Sequence, residues 1–296
     1  MWRALVLLAG CGRFGFEPRP DDVLDRCAAE HEELGSWSPP RLLAAVNDPT
    51  TGDDDPVITA DGRELFFTSA RTGTLGQSDI WRSRRSDPSA PWEMPTHVPE
   101  LSTASNENTL ELSTDGLTMW FASDRPGTLG NEDLWFATRP DRESPWRQVT
   151  NEAELNTASL ERGPSLFLEG RALLFHTGRT GGPGKQDLWI AQRDEVGAPW
   201  QPAAPLAAPN TSGDELRGWA SPCGLELYFQ ASRGATMDFY LVRRGSLDEP
   251  FGPERRIDEL SDAIEYDQDL RLSGDRRHAV FSSGRSGRGD LYESSR

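Results

Sequence analysis

Five acidic residues recur at one place in a repeated sequence unit, and they are the first candidates for chemistry in this chain. Each lies eight residues before the position of a predicted turn, and the five are Asp53, Glu107, Glu161, Glu215 and Asp267. If the five units form a ring, these side chains surround its centre. A ring of carboxylates attracts a metal ion or a cationic ligand, because hard cations bind several oxygen ligands.

Each unit also supplies one arginine that can neutralise its acid. The five arginines are Arg71, Arg125, Arg179, Arg233 and Arg285. Bare carboxylates facing one another raise each other's pKa and destabilise the fold. We therefore interpret the shared acids and arginines as structural ion pairs, with the Asp of each Asp-x-Trp element as an alternative partner for the arginine.

Positions at which the units differ are better candidates for binding, because whatever every unit shares is needed to build the unit. Six and four residues before the turn, the varied side chains include Asp55, Glu111, Arg217, Trp219, Asp269 and Arg271. If they line a central channel, they form an asymmetric pocket with both signs of charge. The alternative is that they fill space between the units.

The elements that carry these residues follow from the repeat itself. Turn positions 61, 115, 169 and 223 are spaced by 54 residues, and the fifth, 275, follows after 52. An aromatic-rich run, an Asp-x-Trp or Asp-x-Tyr element and, in four units, a Pro-Trp or Pro-Phe pair come after each turn. Asp-Gly between two β-rich runs is a strong hairpin signal, and four-stranded units repeated around an axis make a β-propeller.

The ends of the chain predict five blades. The fifth unit stops after its third strand, and Trp37 lies 24 residues before Asp61, the spacing that separates Phe251 from Asp275. Residues 37–46 are therefore a spare fourth strand that completes the last blade and removes an exposed edge. We predict an all-β, five-bladed propeller over 37–296, with repeats near 47–92, 101–146, 155–200, 209–251 and 261–296, preceded by a tether and possible short helix at 12–36.

One unit, residues 112–139, reads LSTDGLTMWFASDRPGTLGNEDLWFATR. It resembles the WD40-like propeller repeat of TolB-type proteins and of many bacterial envelope lipoproteins, and the resemblance covers 37–296. It implies a propeller in the cell envelope that engages protein or wall-associated partners without catalysis. The count of five departs from the six blades of the TolB module.

Residues 1–11 have the pattern of an export signal. Arg3 precedes a short apolar run, and Leu8-Ala9-Gly10-Cys11 resembles a lipobox in which Cys11 is lipidated after cleavage. Plain secretion and a misassigned start remain alternatives. The sequence leaves open whether Cys27 and Cys223 form a disulfide or remain two thiols.

The expected function is a non-catalytic, monomeric scaffold anchored in the envelope by lipid alone, with an envelope protein or wall glycan as partner. A net charge of −17 disfavours nucleic acid. No cofactor or metal is predicted, since none of the four histidines has a second histidine at ligand spacing. The alternative is a five-bladed glycoside hydrolase with channel carboxylates. The loops 72–78, 126–132 and 180–186, longer than those of units four and five, are candidates for a protein-contact surface.

Overall fold

The computed structural model describes residues 27–234 and 236–296. The predicted export signal at 1–11, with Cys11, and most of the tether at 12–36 lie outside them. Among the described residues, no helix has the length and apolar character that a bilayer crossing requires.

Within the described residues, twenty strands form five antiparallel four-stranded sheets, and each sheet is one blade. Blade 1 contains β2 (Asp53–Ile58), β3 (Glu64–Ser69), β4 (Asp79–Arg84) and β5 (Thr96–His97). Blade 2 contains β6 (Glu107–Leu112), β7 (Thr118–Ser123), β8 (Asp133–Thr138) and β9 (Arg147–Asn151). Blade 3 contains β10 (Glu161–Phe167), β11 (Ala172–Thr177), β12 (Asp187–Gln192) and β13 (Ala204–Pro205). Blade 4 contains β14 (Glu215–Ala220), β15 (Glu226–Ala231), β16 (Asp238–Arg243) and β17 (Arg255–Arg256).

Blade 5 joins the two ends of the described chain. It contains β18 (Asp267–Leu272), β19 (His278–Ser283), β20 (Asp290–Ser295) and β1 (Arg41–Leu42). Arg41 pairs with Glu293 and Leu42 with Tyr292, antiparallel to β20. Ser38 N donates to Ser295 O at 2.8 Å beyond the strand end. The predicted five-bladed ring, closed by an N-terminal strand in the last blade, is confirmed.

The apolar core lies between the blades. Buried residues form five clusters, and each contains side chains from two neighbouring blades. The cluster between blades 5 and 1, for example, joins Val280 and Leu291 to Phe67 and Trp81. Because every blade buries both faces against its neighbours, strands β3, β11 and β15 are buried along their full length.

The sequence pattern predicts an outer strand that begins at the Pro-Trp or Pro-Phe pair. In blade 2, β9 does begin directly after Trp146. In the other blades the outer strand has two residues, and β5, for example, begins four residues after Trp92. The aromatic ring packs against a second repeated arginine, which the sequence prediction missed. Arg85 stacks on Trp92 at 4.1 Å and its Nε donates to Gly62 O of the hairpin turn at 2.6 Å. The same contact recurs in Arg139–Trp146, Arg193–Trp200, Arg244–Phe251 and Arg296–Trp37.

The two ends of the ring have different structures. We call the end at which the inner strands begin the loop face, and the opposite end, with the hairpin turns, the turn face. A 3-10 helix, Ala28–His31, lies against the turn face, where Cys27 forms a disulfide with Cys223 in the turn of blade 4. Glu30 Oε1 accepts a hydrogen bond from Cys223 N at 2.8 Å. Two further 3-10 turns occur at Leu168–Gly170 and Gly284–Ser286.

Candidate functional site

The five shared acids are fully buried within their own blades and do not form one cluster. In blade 2, Glu107 Oε1 accepts hydrogen bonds from Arg125 Nη2 at 2.9 Å and Thr103 Oγ1 at 2.7 Å, while Oε2 accepts from Thr103 N at 3.1 Å. Arg125 Nη2 also donates to Leu101 O at 2.7 Å. Each acid therefore fixes the loop that precedes its inner strand.

The same ion pair occurs in every blade. Its other members are Arg71–Asp53 at 2.5 Å, Arg179–Glu161 at 3.0 Å, Arg285–Asp267 at 2.6 Å and Arg233–Glu215. The alternative partner, the Asp of the Asp-x-Trp element, instead caps the long loop in blades 1, 2 and 3. Asp79 accepts from Leu75 N at 2.6 Å and Gly76 N at 3.1 Å. The shared acids and arginines thus stabilise the blades through ion pairs and hydrogen bonds to the loops.

A β-bulge in each inner strand turns one residue of every blade toward the ring's centre. The five bulge residues are Asp55, Thr109, Gly163, Arg217 and Asp269, which have φ between 48° and 63°. They lie six residues before the turn, where the strand register shifts. Non-glycine residues rarely adopt positive φ, and bulges commonly redirect side chains near functional sites.

The bulge N–H groups bond from blade to blade. Gly163 N donates to Thr109 Oγ1 at 3.1 Å, and Asp269 N donates to Gln230 Oε1 at 3.1 Å. Arg217 N donates to His176 Nδ1 at 3.2 Å, so the histidine proton lies on Nε2. Burial, with the nearby charge of Arg217, holds the pKa of His176 well below its usual range. Only glycine fits at 163, because a Cβ there would lie 2.8 Å from His176 Nδ1.

Three of the predicted channel residues meet beneath the loop face. Arg217 forms an ion pair with Asp269, and its Nη1 lies 3.9 Å from Asp55 Oδ1. Asp55 and Asp269 are buried and share a hydrogen bond. Burial raises the pKa of Asp269 well above its usual range, although the positive charge of Arg217 opposes this shift. The pKa of Asp55 is lowered despite its burial, because Arg217 and a hydrogen bond from Asp269 stabilise its charged form.

Two further predicted residues close the centre of the channel. Arg271, only 2% exposed, extends from blade 5, and its Nε lies 3.3 Å from Glu111 Oε2 of blade 2. Its guanidinium also donates to Leu110 O and Pro164 O, both at 3.3 Å, on blades 2 and 3. Burial raises the pKa of Glu111 to about 7, although Arg271 opposes the shift. Arg271 Nη1 also donates to Arg217 O of blade 4 at 3.5 Å. One side chain thus links blade 5 to three other blades and fills the axis.

Trp219 does not join these residues. Its ring packs edge-on against Tyr228, with 5.7 Å between the centroids, in the apolar cluster between blades 4 and 5. This position corresponds to the alternative in which varied side chains fill space between units. The varied positions thus divide into a polar set at the axis and an apolar set between blades.

A cavity of about 260 Å³ opens at the loop face above the Asp55–Asp269 pair. Asp54, Asp55, Ser69, Ser78 and Asn108 contribute to its wall, and Arg217 lies at its base. Sequence reasoning missed Asp54 and Asn108, seven residues before the turn, although the units differ there too. Asp54 Oδ1 accepts from Gln268 Nε2 of blade 5 at 2.8 Å. Burial and the charge of Asp55 raise the pKa of Asp54.

Known propellers share this fold at low sequence identity. TolB from Acinetobacter baumannii superposes with a TM-score of 0.51 at 15% identity over 83% of this chain, which spans about half (55%) of that protein. An endo-arabinase from Bacteroides thetaiotaomicron gives 0.57 at 11% identity, covering 88% of this chain and 98% of that one. A family 117 glycoside hydrolase from Zobellia galactanivorans gives 0.51 at 12% identity, covering 84% and 85%.

No protein-family model and no curated protein matches the sequence. The similar structures include both TolB and sugar-cleaving enzymes, and at these identities they establish the propeller fold alone. What the site does must therefore be argued from its own residues.

Proposed function

We propose that this propeller is a non-catalytic scaffold whose loop face binds a protein partner in the bacterial envelope. The observation that carries the proposal is the closed channel. Arg271 fills the axis, and Glu111 and Asp269, the acids that catalysis would need, form ion pairs with arginine side chains. The accessible features at the loop face are the long loops and the cavity above the Asp55–Asp269 pair, which we call the mouth cavity.

The loop face presents apolar side chains in a rigid frame. Four of the seven exposed large hydrophobic residues among the described positions lie here: Leu75, Leu129, Ile264 and Tyr266. Leu75 and Leu129 are 58% and 60% exposed at the tips of corresponding loops. Exposed apolar groups rimmed by polar residues are typical of protein interaction sites.

The loops that carry these leucines are held in place before any partner binds. Asp79 and Asp133 cap them through backbone N–H groups. Gly76 and Gly130 pack so tightly against the next blade that an added Cβ would lie 2.0 and 1.8 Å from a backbone carbonyl oxygen. A preorganised surface loses less conformational entropy on binding, which supports this face as the contact surface.

The channel acids are poorly suited to glycoside hydrolysis. That reaction needs one proton-donating acid and one ionised carboxylate on either side of an accessible sugar bond. Glu111 has a raised pKa, but it is 4% exposed and lies against Arg271. Asp269 is 2% exposed. A sugar ring reaches neither carboxyl without displacing a buried arginine.

Export and anchoring complete the proposal. The Cys27–Cys223 disulfide supports an oxidising compartment outside the cytoplasm. It also fixes the start of the described chain to the turn face. A lipid anchor at Cys11 would then leave the loop face directed away from the membrane.

The proposal is tested by co-purification from solubilised envelope with the full-length exported protein. The loop-face variant Leu75→Asp/Leu129→Asp is compared with the control Met94→Asp/Val196→Asp, which alters exposed apolar residues away from the loop face. We expect the loop-face variant to lower recovery of the partner at least about tenfold, as loss of central apolar contacts does.

Equal recovery with both variants would overturn the binding face. Release of reducing sugar from wall polysaccharide, abolished by Glu111→Gln, would overturn the non-catalytic class.

A further inference from the structure

We propose that the mouth cavity binds an alkylammonium group, the lysine side chain of the protein partner. The inference rests on the proposed binding function and names the chemistry of one contact within it. It starts from the shape of the cavity, which holds about 260 Å³ between blades 1 and 2. A water molecule in the liquid takes up about 30 Å³, so the cavity has room for an ammonium group and several methylenes.

The charge of the cavity is negative. Three carboxylates, Asp54, Asp55 and Asp269, lie around the single guanidinium of Arg217. Burial raises the pKa of Asp269 well above its usual range, which favours its neutral form, and Arg217 balances the charge of a second carboxylate. One negative charge remains. Asp54 lies in the cavity wall and forms no ion pair within the described residues, so we assign the remaining charge to its carboxylate.

Asp55 supplies a second, buried acceptor. Its side chain is 4% exposed and lies in the cavity wall. Among the described residues, no N–H or hydroxyl group donates to its Oδ1 or to Asp269 Oδ1. A cationic ligand compensates a carboxylate buried in this way.

The arrangement of acceptors favours ammonium over guanidinium. A guanidinium binds a carboxylate best through two parallel hydrogen bonds to both oxygens. On Asp54, Gln268 Nε2 already occupies Oδ1 and the Ser282 hydroxyl is a second donor to the carboxylate, so two free oxygens are not available for a guanidinium. An ammonium group donates three hydrogen bonds from a single point. The Asp54 carboxylate, the Ser78 hydroxyl and the Asn108 amide oxygen provide separate acceptors for such a group.

The cavity differs from a metal site in its ligand set. Within 27–234 and 236–296, no group of three or more His, Cys, Asp or Glu side chains is arranged to hold a metal ion. Divalent cations also bind carboxylates and would compete with an ammonium group for this cavity, so the test includes one.

The test is an NMR titration of the full-length protein with n-butylammonium chloride, with n-butanol as the neutral analogue and calcium chloride as the metal control. We expect saturable millimolar binding of butylammonium, with shifts at the amides of residues 54, 78 and 108, and no saturation with butanol. Asp54→Asn keeps the acceptor for Gln268 but removes the charge, and we expect it to weaken binding at least about tenfold. Asp115→Asn, an exposed acid on the turn face, is the matched control.

Ser78→Leu tests the same site without changing charge, because the larger side chain fills the cavity from its rim. Loss of butylammonium binding in this variant supports the assignment. Equal binding of butanol, displacement of butylammonium by calcium, no saturation with butylammonium, or full affinity in Asp54→Asn would each overturn it. Partner recovery that survives these changes but fails in Leu75→Asp/Leu129→Asp would leave the proposed function intact. Saturable butylammonium binding together with partner recovery that none of these variants changes would leave the ammonium site and overturn the proposed function.

Discussion

Replacing Arg125 by methionine tests whether the shared acids are structural. Arg125 is 7% exposed, donates to Glu107, Leu101 O and Ser123, and lies over the Phe121 ring at 4.7 Å. Methionine keeps most of the apolar volume but leaves Glu107 buried without its cation. Breaking a buried ion pair by removing one partner costs about 3 to 5 kcal/mol. In a domain of this size we expect Tm to fall by about 10 °C.

The pH dependence separates this cause from lost packing. Burial already raises the pKa of Glu107, and the arginine opposes that shift. Without Arg125 the folded-state pKa rises further above the unfolded value, so the folded state binds more protons and loses stability as pH increases from about 4.5 upward. We therefore expect the loss in Arg125→Met to be larger at pH 8 than at pH 5.

The assay is urea unfolding followed by tryptophan fluorescence at both pH values. Arg63→Met, at an exposed position, is the control and should change stability by less than about 0.5 kcal/mol. The double variant Glu107→Gln/Arg125→Met should recover at least about 1 kcal/mol, because the uncompensated charge is gone. A loss below about 1 kcal/mol in Arg125→Met, or an equal loss at both pH values, would refute the structural role of the acid.

Three other predictions concern the loops, the disulfide and the channel. Gly130→Ala should destabilise by about 1 to 3 kcal/mol through a clash with the next blade, while Gly274→Ala, with open space around it, should be neutral in the same thermal melt. Replacing Cys27 and Cys223 by serine removes a link across 196 residues and should lower the unfolding free energy by up to about 5 kcal/mol; equal melts with and without reductant would contradict this. Because the pKa of Glu111 is raised to about 7, its contribution to stability should fall by about 3 kcal/mol between pH 4.5 and 7, and Glu111→Gln should remove that slope in urea unfolding.

The blade pattern could be read from the sequence because it depends on neighbours along the chain. Hairpin turns, alternating strands and the Asp-x-Trp element recur at a fixed period, and each blade forms from one period. Ring closure was also predictable, since the spare strand after Trp37 has the spacing of the other outer strands. The second arginine of each unit, as in Arg85–Trp92, follows the same period. It was missed although the signal was present.

The candidate site was predictable only as a set of positions. The sequence singled out Asp55, Arg217 and Asp269 because the units differ at these positions. It did not predict that the Arg217 guanidinium lies between the two carboxyl groups. It grouped Trp219 with them, although that side chain packs between blades. Period-two alternation alone does not predict this division, because a β-bulge shifts the register within each inner strand.

Composition and spacing by themselves therefore determined five copies of a four-stranded module and the strand that closes their ring. Only the tertiary structure decided which arginine pairs with which acid, that Arg271 closes the axis, and that Cys27 meets Cys223 across 196 residues. The physical reason is the range of the interactions. Strand and turn preferences act over a few residues, whereas contacts at the axis arise where five inner strands converge from distant parts of the chain.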